Sequence, residues 1–193
     1  MTDCKIICGD CLEVLPQLED GLFACAIVDA PYGSGGRDGS VHLNNPAMIG
    51  NRMGRDAHLW LTREYGKLLF AKTKADAHCY AFTDWRKFID LRISYESAGW
   101  ECRALIVWDK GNGMGEYWRS SHEFILFLTK RQPRPLTHGG CFNVLRFPPA
   151  RANKLHPAQK PVALIEYLIE ASTQDGEAVI DPFCGSGSTA GLP

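Results

Sequence analysis

The first residues that could carry out chemistry are Asp29-Ala30-Pro31-Tyr32, which follow the apolar run "ACAIV". A carboxylate, a backbone carbonyl stiffened by the next proline and an aromatic ring within one turn suit a flat, amino-bearing molecule. Asp29 and the carbonyl of Ala30 can each accept one hydrogen of an exocyclic NH₂, while Tyr32 stacks on the ring. These residues predict chemistry at an amine nitrogen. The alternative is a proline-fixed turn whose tyrosine covers the core.

A second group is found in "AVIDPFCGSGSTA", where Asp181 and Phe183 precede Gly185 and Gly187. The spacing Gly185-x-Gly187-x-x-Ala190 matches a dinucleotide fingerprint and lacks the lysine of a P-loop. A carboxylate beside the glycines would repel a pyrophosphate and attract a cationic or amino-bearing ligand, which favours S-adenosylmethionine over a nicotinamide dinucleotide. The alternative is a tight turn in which Asp181 caps local N–H groups.

The elements that must position these groups alternate between strands and helices, which predicts an α/β fold with a mostly parallel sheet. "SHEFILFLTK" is expected to pair antiparallel with "CRALIVW", and the region from Arg131 to Pro161 is expected to be irregular. The predicted strands are "KIICGD", "ACAIVDAPY", "DAHCYAFTD", "WECRALIVWDK", "SHEFILFLTK" and "EAVIDPF", and the predicted helices are "CLEVLPQLEDG", "HLWLTREYGKLLFAKTK", "WRKFIDLRISYESAG" and "KPVALIEYLIEAST".

The composition is that of one compact domain over residues 1–193, with 45% hydrophobic residues and a net charge of −1. The apolar runs are too short to span a bilayer, and the N-terminus lacks a basic region followed by a long apolar stretch. Eight cysteines in apolar contexts indicate a reducing compartment, so a cytoplasmic protein without a membrane partner is expected. The pair Cys8 and Cys11 has no second pair at ligand spacing, and no metal is predicted.

The charges are distributed unevenly along the chain. No Asp or Glu occurs from Phe124 to Ile165, whereas basic residues recur there. An all-basic segment in a neutral protein is a candidate for binding phosphates, and a solvated loop that lacks acids is the alternative. The predicted DNA-binding residues are Arg131, Arg134, Arg146, Arg151 and Lys154.

Three motifs together resemble those of amino-group DNA methyltransferases. "DAPY" resembles their [DNS]-P-P-[YFW] signature, "DPFCGSGST" their S-adenosylmethionine loop D-P-F-x-G-S-G-[ST]-T, and "HPAQKP" their H-P-x-Q-K-P element. The catalytic motif precedes the cofactor loop, which resembles the circularly permuted β group. The resemblance covers essentially the whole chain.

This resemblance implies a doubly wound, mostly parallel sheet with one reversed hairpin strand, and methyl transfer from S-adenosylmethionine to a base flipped out of double-stranded DNA. An aspartate at position 29 favours adenine N6 over cytosine N4. Residues 130–156 would form a target-recognition-like insertion, and no catalytic role is assigned to His122 or Glu123 of "SHEF". The catalytic residues implied are Asp29, Ala30, Pro31 and Tyr32, and the cofactor-binding residues are Asp10, Lys160, Asp181, Phe183, Gly185 and Gly187.

Two departures from the family pattern affect these expectations. Ala30 stands where the family usually has proline, which predicts a looser loop with the carbonyl retained. The sequence runs only to Pro193, so the family's C-terminal strand and helix are expected to be missing. The alternatives are a catalytically inert remnant that binds DNA only, a cytosine N4 methyltransferase, an enzyme acting on RNA, and a nicotinamide oxidoreductase supported by the glycines alone.

Overall fold

The structure is a computed structural model that describes residues 4–31, 54–114, 116–149, 159–185 and 187–190. Within these ranges six strands form one sheet, and helices cover both of its faces. The strands are β1 (Phe23–Val28), β2 (Thr73–Thr83), β3 (Glu101–Met114), β4 (Ser120–Thr129), β5 (Val144–Arg146) and β6 (Val179–Ile180). The helices are α1 (Cys11–Val14), α2 (Arg55–Lys72), α3 (Phe88–Ser97) and α4 (Val162–Glu170), and a 3₁₀ turn spans Leu15–Gln17.

The strand order is β5-β3-β4-β2-β1-β6. β1 is parallel to both β2 and β6, and β5 is parallel to β3. β4 is antiparallel to β2 and to β3, so it is the one reversed strand in the described sheet. The predicted fold class and the predicted antiparallel pair are therefore confirmed.

Alternate residues of the central strands enter two separate cores, as the two-residue period of a strand requires. Ala26 and Val28 of β1 pack with side chains of α2 and α3, including the buried Tyr65. Cys25 and Ile27 face the opposite side and pack with three residues of α4. Burial on both faces explains why β1 reads as a continuous apolar run.

Two sequence predictions about the elements were wrong. "KIICGD" is not a strand, and its two isoleucines are exposed. A strand needs a neighbour for its backbone hydrogen bonds, and no described strand pairs with residues 4–10. In the region expected to be irregular, Val144–Arg146 instead forms β5, because these residues pair in parallel with the edge of β3 that β4 does not occupy.

The described ranges contain no helix that is both long enough and apolar enough to cross a membrane. In the same ranges no group of three or more His, Cys, Asp or Glu side chains is arranged to hold a metal ion.

Candidate active site at the carboxyl edge of the sheet

The residues predicted from the two motifs meet at one edge of the sheet. In the parallel pair of β1 and β6, Ala26 lies opposite Ile180. Asp29 and Asp181 therefore both emerge where these neighbouring strands end, and the charge of Asp29 is close enough to contribute to the raised pKa of Asp181. We call this side of the sheet the carboxyl edge. Tyr32 lies outside the described residues.

The start of the candidate catalytic loop is fixed by its contacts with the core. The Asp29 side chain is 25% exposed, Ala30 is buried in the same core as Tyr65, and Pro31 is exposed. Burial lowers the pKa of His58, and the nearby Lys87 ammonium lowers it further. The imidazole is therefore neutral, and its one N–H can donate to the backbone carbonyl of Pro31. Sequence reasoning missed this support, since His58 lies in a helix distant along the chain.

Lys160 supplies a buried ammonium directly beside Asp29. Its Nζ lies 2.8 Å from Asp29 Oδ1 and 3.5 Å from Glu123 Oε2, and 5.2 Å from the centre of the Phe82 ring. Burial alone would lower the pKa of Lys160, but the two carboxylates raise it above its ordinary value. The side chain is only 8% exposed, so a full positive charge is held inside the site.

Glu123 completes a group of four charges. It opens the apolar part of β4, and Lys110 Nζ lies 2.5 Å from its Oε1. Burial would raise the pKa of Glu123, but Lys160 and Lys110 lower it, so the carboxylate stays ionised. We call Asp29, Lys160, Glu123 and Lys110 the carboxyl-edge ion cluster. Its two positive and two negative charges balance.

Sequence reasoning gave Glu123 no role, although one signal was available. Because β4 runs against its neighbours, its first residues lie at the same edge as the last residues of β1 and β2. An acid that precedes the apolar run "FILFL" of a reversed strand is therefore carried to the carboxyl edge.

Asp181 organises the glycine turn that follows β6. Its Oδ1 accepts from the N–H of Phe183 at 2.9 Å, and its Oδ2 accepts from the hydroxyl of Thr189 at 2.6 Å. Burial raises the pKa of Asp181 to about 6, although both hydrogen bonds oppose the shift. The capping role that the sequence left open is thus present, and it holds the turn in shape.

The two glycines of this turn have backbone conformations that side chains disfavour. The φ angle is 50° at Gly185 and 80° at Gly187, in the left-handed region. The N–H of Gly187 donates to the carbonyl of Cys184 at 2.7 Å. The Ser188 hydroxyl donates to the Lys160 carbonyl at 3.3 Å, which ties the turn to the ion cluster.

Phe183 and Asp10 lie on the face of the sheet that carries α2. The ring of Phe183 packs edge-on against Tyr65, with the ring centres 5.0 Å apart. Asp10 is exposed and caps α1, where its carboxylate accepts from the N–H of Leu12 at 2.9 Å. Leu12 packs against the same core as Phe183, so α1 and the glycine turn share this face.

The basic residues predicted to bind DNA separate to two edges of the sheet. Arg146 ends β5 at the carboxyl edge, where it is largely exposed and lies 3.7 Å from Asp109. Arg131 and Arg134 follow the reversed β4 and so emerge at the opposite edge. Arg151 and Lys154 lie outside the described residues.

Arg134 is held at that opposite edge by two acids. It pairs with Asp76 at 3.0 Å and with Glu177, and its side chain is 17% exposed. Lys74 also pairs with Glu177, at 2.7 Å. We call Arg134, Asp76, Glu177 and Lys74 the amino-edge ion cluster. The structure does not bring Arg131 or Arg134 to the candidate site.

Comparison with known proteins identifies the family. A family model described as DNA methylase matches residues 23–191, which is most of the chain. The type II methyltransferase M.HpaI of Haemophilus parainfluenzae is 28% identical over an alignment of 213 residues. The alignment covers 96% of this chain and 65% of that protein. The chain thus spans about two thirds of the length of this relative. It belongs to the DNA methylase family of N6 and N4 amino-methyltransferases, which uses S-adenosylmethionine.

Solved structures show the same fold. The crystal structure of the M1.HpyAVI–SAM complex has a TM-score of 0.64 at 21% identity, covering 94% of this chain and 82% of that one. The cytosine-N4-specific PvuII DNA methyltransferase has a TM-score of 0.71 at 15% identity, covering 94% and 74%.

Proposed function

We propose that this member of the DNA methylase family transfers a methyl group from S-adenosylmethionine to the exocyclic amine of a base flipped out of double-stranded DNA, with adenine N6 as the favoured target. The observation that carries the proposal is the common edge of β1 and β6. Asp29 and Asp181 leave adjacent parallel strands there, within electrostatic reach of each other. One small reacting group can therefore be reached from both motifs.

The glycine turn fits a methyl donor of this kind. Asp181, Phe183, Gly185 and Gly187 would hold the cofactor, because the turn exposes backbone next to an aromatic ring and a carboxylate. Asp10 would contribute from α1, which lies on the same face. When bound, S-adenosylmethionine supplies an electrophilic methyl group on a positively charged sulfur. A negative Asp181 near that charge is favourable.

The catalytic loop fits an incoming amine. Asp29 and the Ala30 carbonyl would accept the two hydrogens of the NH₂ group, and Tyr32 would stack on the base. In the proposed transfer the nitrogen would gain the methyl group as the methyl–sulfur bond of the donor breaks, with that bond's electron pair left on sulfur. The nitrogen would also lose one proton, which Asp29 would accept or pass to water. Catalysis then depends on positioning the amine and stabilising its developing charge.

Lys160 has a different place in this proposal from the one its motif suggested. The family resemblance implied only that Lys160 binds the cofactor, and in the structure its ammonium contacts Asp29 and Glu123. We propose that Lys160 fixes the orientation of the Asp29 carboxylate. Glu123 and Lys110 in turn fix Lys160 by balancing its charge.

The remaining parts of the proposal concern the family subgroup and the DNA. In this chain the catalytic loop after β1 precedes the glycine turn after β6, in agreement with the permuted β-group order. Arg146 is the described basic residue that we propose for phosphate contacts, together with Arg151 and Lys154. We also propose that the protein acts in the cytoplasm, where it would bind the DNA that it methylates.

The proposal is tested by incubating the protein with methyl-labelled S-adenosylmethionine and duplex DNA of mixed sequence, and then identifying the labelled nucleoside by mass spectrometry. We expect N6-methyladenine, formed by the wild type and about 100-fold or more slowly by Asp29→Ala. Labelled N4-methylcytosine would move the target to cytosine. DNA binding without any binding of the methyl donor would indicate the inert remnant instead.

A further inference from the structure

The turn between β3 and β4 carries two aromatic side chains in solvent. Tyr117 is 86% exposed and Trp118 is 99% exposed. Exposed apolar surface that is contiguous marks interaction sites, and these two exposed rings are neighbours along the chain. We call Tyr117, Trp118 and the adjoining Arg119 the aromatic tip.

The aromatic tip projects from the same edge as the candidate site. In the hairpin, Asp109 lies opposite His122 and Met114 lies opposite Ser120. At about 3.3 Å per residue, Trp118 lies up to about 16 Å beyond Glu123 along the strand direction. Glu123 contacts the same Lys160 ammonium that holds Asp29. A duplex that delivers a base to Asp29 would thus lie within reach of the tip.

The base of the hairpin is fixed, so the tip has a defined position. The N–H of Gly111 donates to Asp109 Oδ1 at 2.8 Å, and Lys110 pairs with Glu123. At Gly113 the strands approach so closely that a Cβ would lie 2.7 Å from the Ser120 carbonyl oxygen. The hairpin is therefore anchored to the carboxyl-edge ion cluster.

Positive charge accompanies the aromatic rings. Arg119 follows Trp118 directly, and the guanidinium of Arg146 lies beside Gly111 at the base of the hairpin. Arg146 is 77% exposed at its side chain, so it remains accessible to a phosphate. Exposed aromatic rings interleaved with arginines are typical of surfaces that stack on bases and neutralise phosphates.

We propose that the aromatic tip is a DNA-contacting element, in which Trp118 stacks on the bases next to the flipped nucleotide while Arg119 and Arg146 bind the backbone. Side chains that enter the base stack are known to open and kink a duplex. The tip would therefore help to hold the space that the extruded base leaves. This inference rests on the proposed function, because it assigns a partner to the same edge of the sheet.

The test compares Trp118→Ala with Phe142→Ala, measured by fluorescence anisotropy on a 30-base-pair duplex of mixed sequence and on the same duplex with one abasic site. Phe142 is 91% exposed and lies two residues before β5, level with the middle of β3 and well back from the hairpin turn, so it is a matched control for an exposed aromatic ring. We expect Trp118→Ala to bind the abasic duplex about tenfold or more weakly than the wild type, and Phe142→Ala to bind within about twofold. Calorimetry with S-adenosylmethionine should give equal affinities for all three proteins.

Equal DNA affinities of the wild type and Trp118→Ala on both duplexes would overturn the inference. It would also be overturned if Trp118→Ala turned a dimer into a monomer in sedimentation without a change in DNA binding, since the tip would then bind a second copy of the chain. If the wild type binds DNA through Trp118 but transfers no methyl group, the tip assignment stands and the proposed function fails.

Discussion

The two opposite edges of the sheet each carry a cluster of four charges, and the clusters differ in what surrounds them. At the carboxyl edge the central cation is the buried Lys160. It pairs with Asp29, just after β1, and with Glu123, near the start of β4. At the amino edge the central cation is Arg134, which joins Asp76 near the start of β2 to Glu177 before β6. A charge is expensive to bury, and Lys160 is the more deeply buried of the two central cations, at 8% exposed against 17% for Arg134. We propose that the carboxyl-edge ion cluster serves the reaction and that the amino-edge ion cluster serves stability.

The largest effect is expected from Lys160→Met. This change leaves the Asp29 and Glu123 carboxylates facing each other without their shared ammonium, and we expect the free energy of unfolding to fall by about 3–5 kcal/mol. Methyl transfer should also slow, by no more than the roughly 100-fold to 1,000-fold expected for Asp29→Ala, because Asp29 is no longer oriented. Chemical denaturation and labelled transfer assays measure the two effects.

Lys74→Met is the matched control for this lysine. Lys74 pairs with Glu177 in the amino-edge ion cluster and is 37% exposed, so its removal should cost no more than about 1 kcal/mol. A loss of stability equal to that of Lys160→Met would contradict the assignment of the two clusters.

Arg134→Met should give the opposite pattern to a change in the catalytic site. Breaking its pairs with Asp76 and Glu177 should lower the free energy of unfolding by about 1–3 kcal/mol, while methyl transfer per folded molecule stays within about twofold.

Arg134 lowers the pKa of Glu177 to about 2, which contributes stability above the ordinary pKa of a glutamate. This contribution is lost as the pH falls from about 4.5 toward 2. The variant should therefore lose less stability in acid than the wild type, as thermal melts at stepped pH would show.

A smaller effect is expected from the titration of Asp181. A carboxyl group whose pKa is raised to about 6 binds its proton more tightly in the folded state than in the unfolded chain. The empty protein should therefore lose stability as the pH rises from about 4 through 6. Over the same interval, the affinity for S-adenosylmethionine should rise by up to about tenfold per pH unit, because Asp181 becomes negative. Calorimetry checks the affinity, and Asp181→Asn should remove its dependence on pH.

The sequence was sufficient to predict that the two motifs meet. Asp29 and Asp181 each follow an apolar run, and parallel strands end at a common edge. The order of the elements along the chain also predicted the hairpin of β3 and β4. These features depend on local patterns, which a single sequence carries.

The remaining features depend on contacts between distant segments. The reversed direction of β4 places Glu123, near its start, at the candidate site, and it places Arg134, which follows its end, at the opposite edge of the sheet. The motif around Lys160 predicted its neighbourhood, but only the folded chain shows which carboxylates its ammonium meets. "KIICGD" has the composition of a strand, but the composition of a segment does not show whether another strand lies beside it to accept its backbone hydrogen bonds.

The central claim is that Asp29 accepts hydrogens of the target amine at the carboxyl edge, and single-turnover methyl transfer measures this most directly. We expect Asp29→Ala, which has no acceptor, to react about 100-fold to 1,000-fold more slowly than the wild type. Asp29→Asn keeps one carbonyl acceptor and should retain an intermediate rate. Both variants should bind S-adenosylmethionine within about threefold of the wild type. A wild-type rate for folded Asp29→Ala would contradict the account.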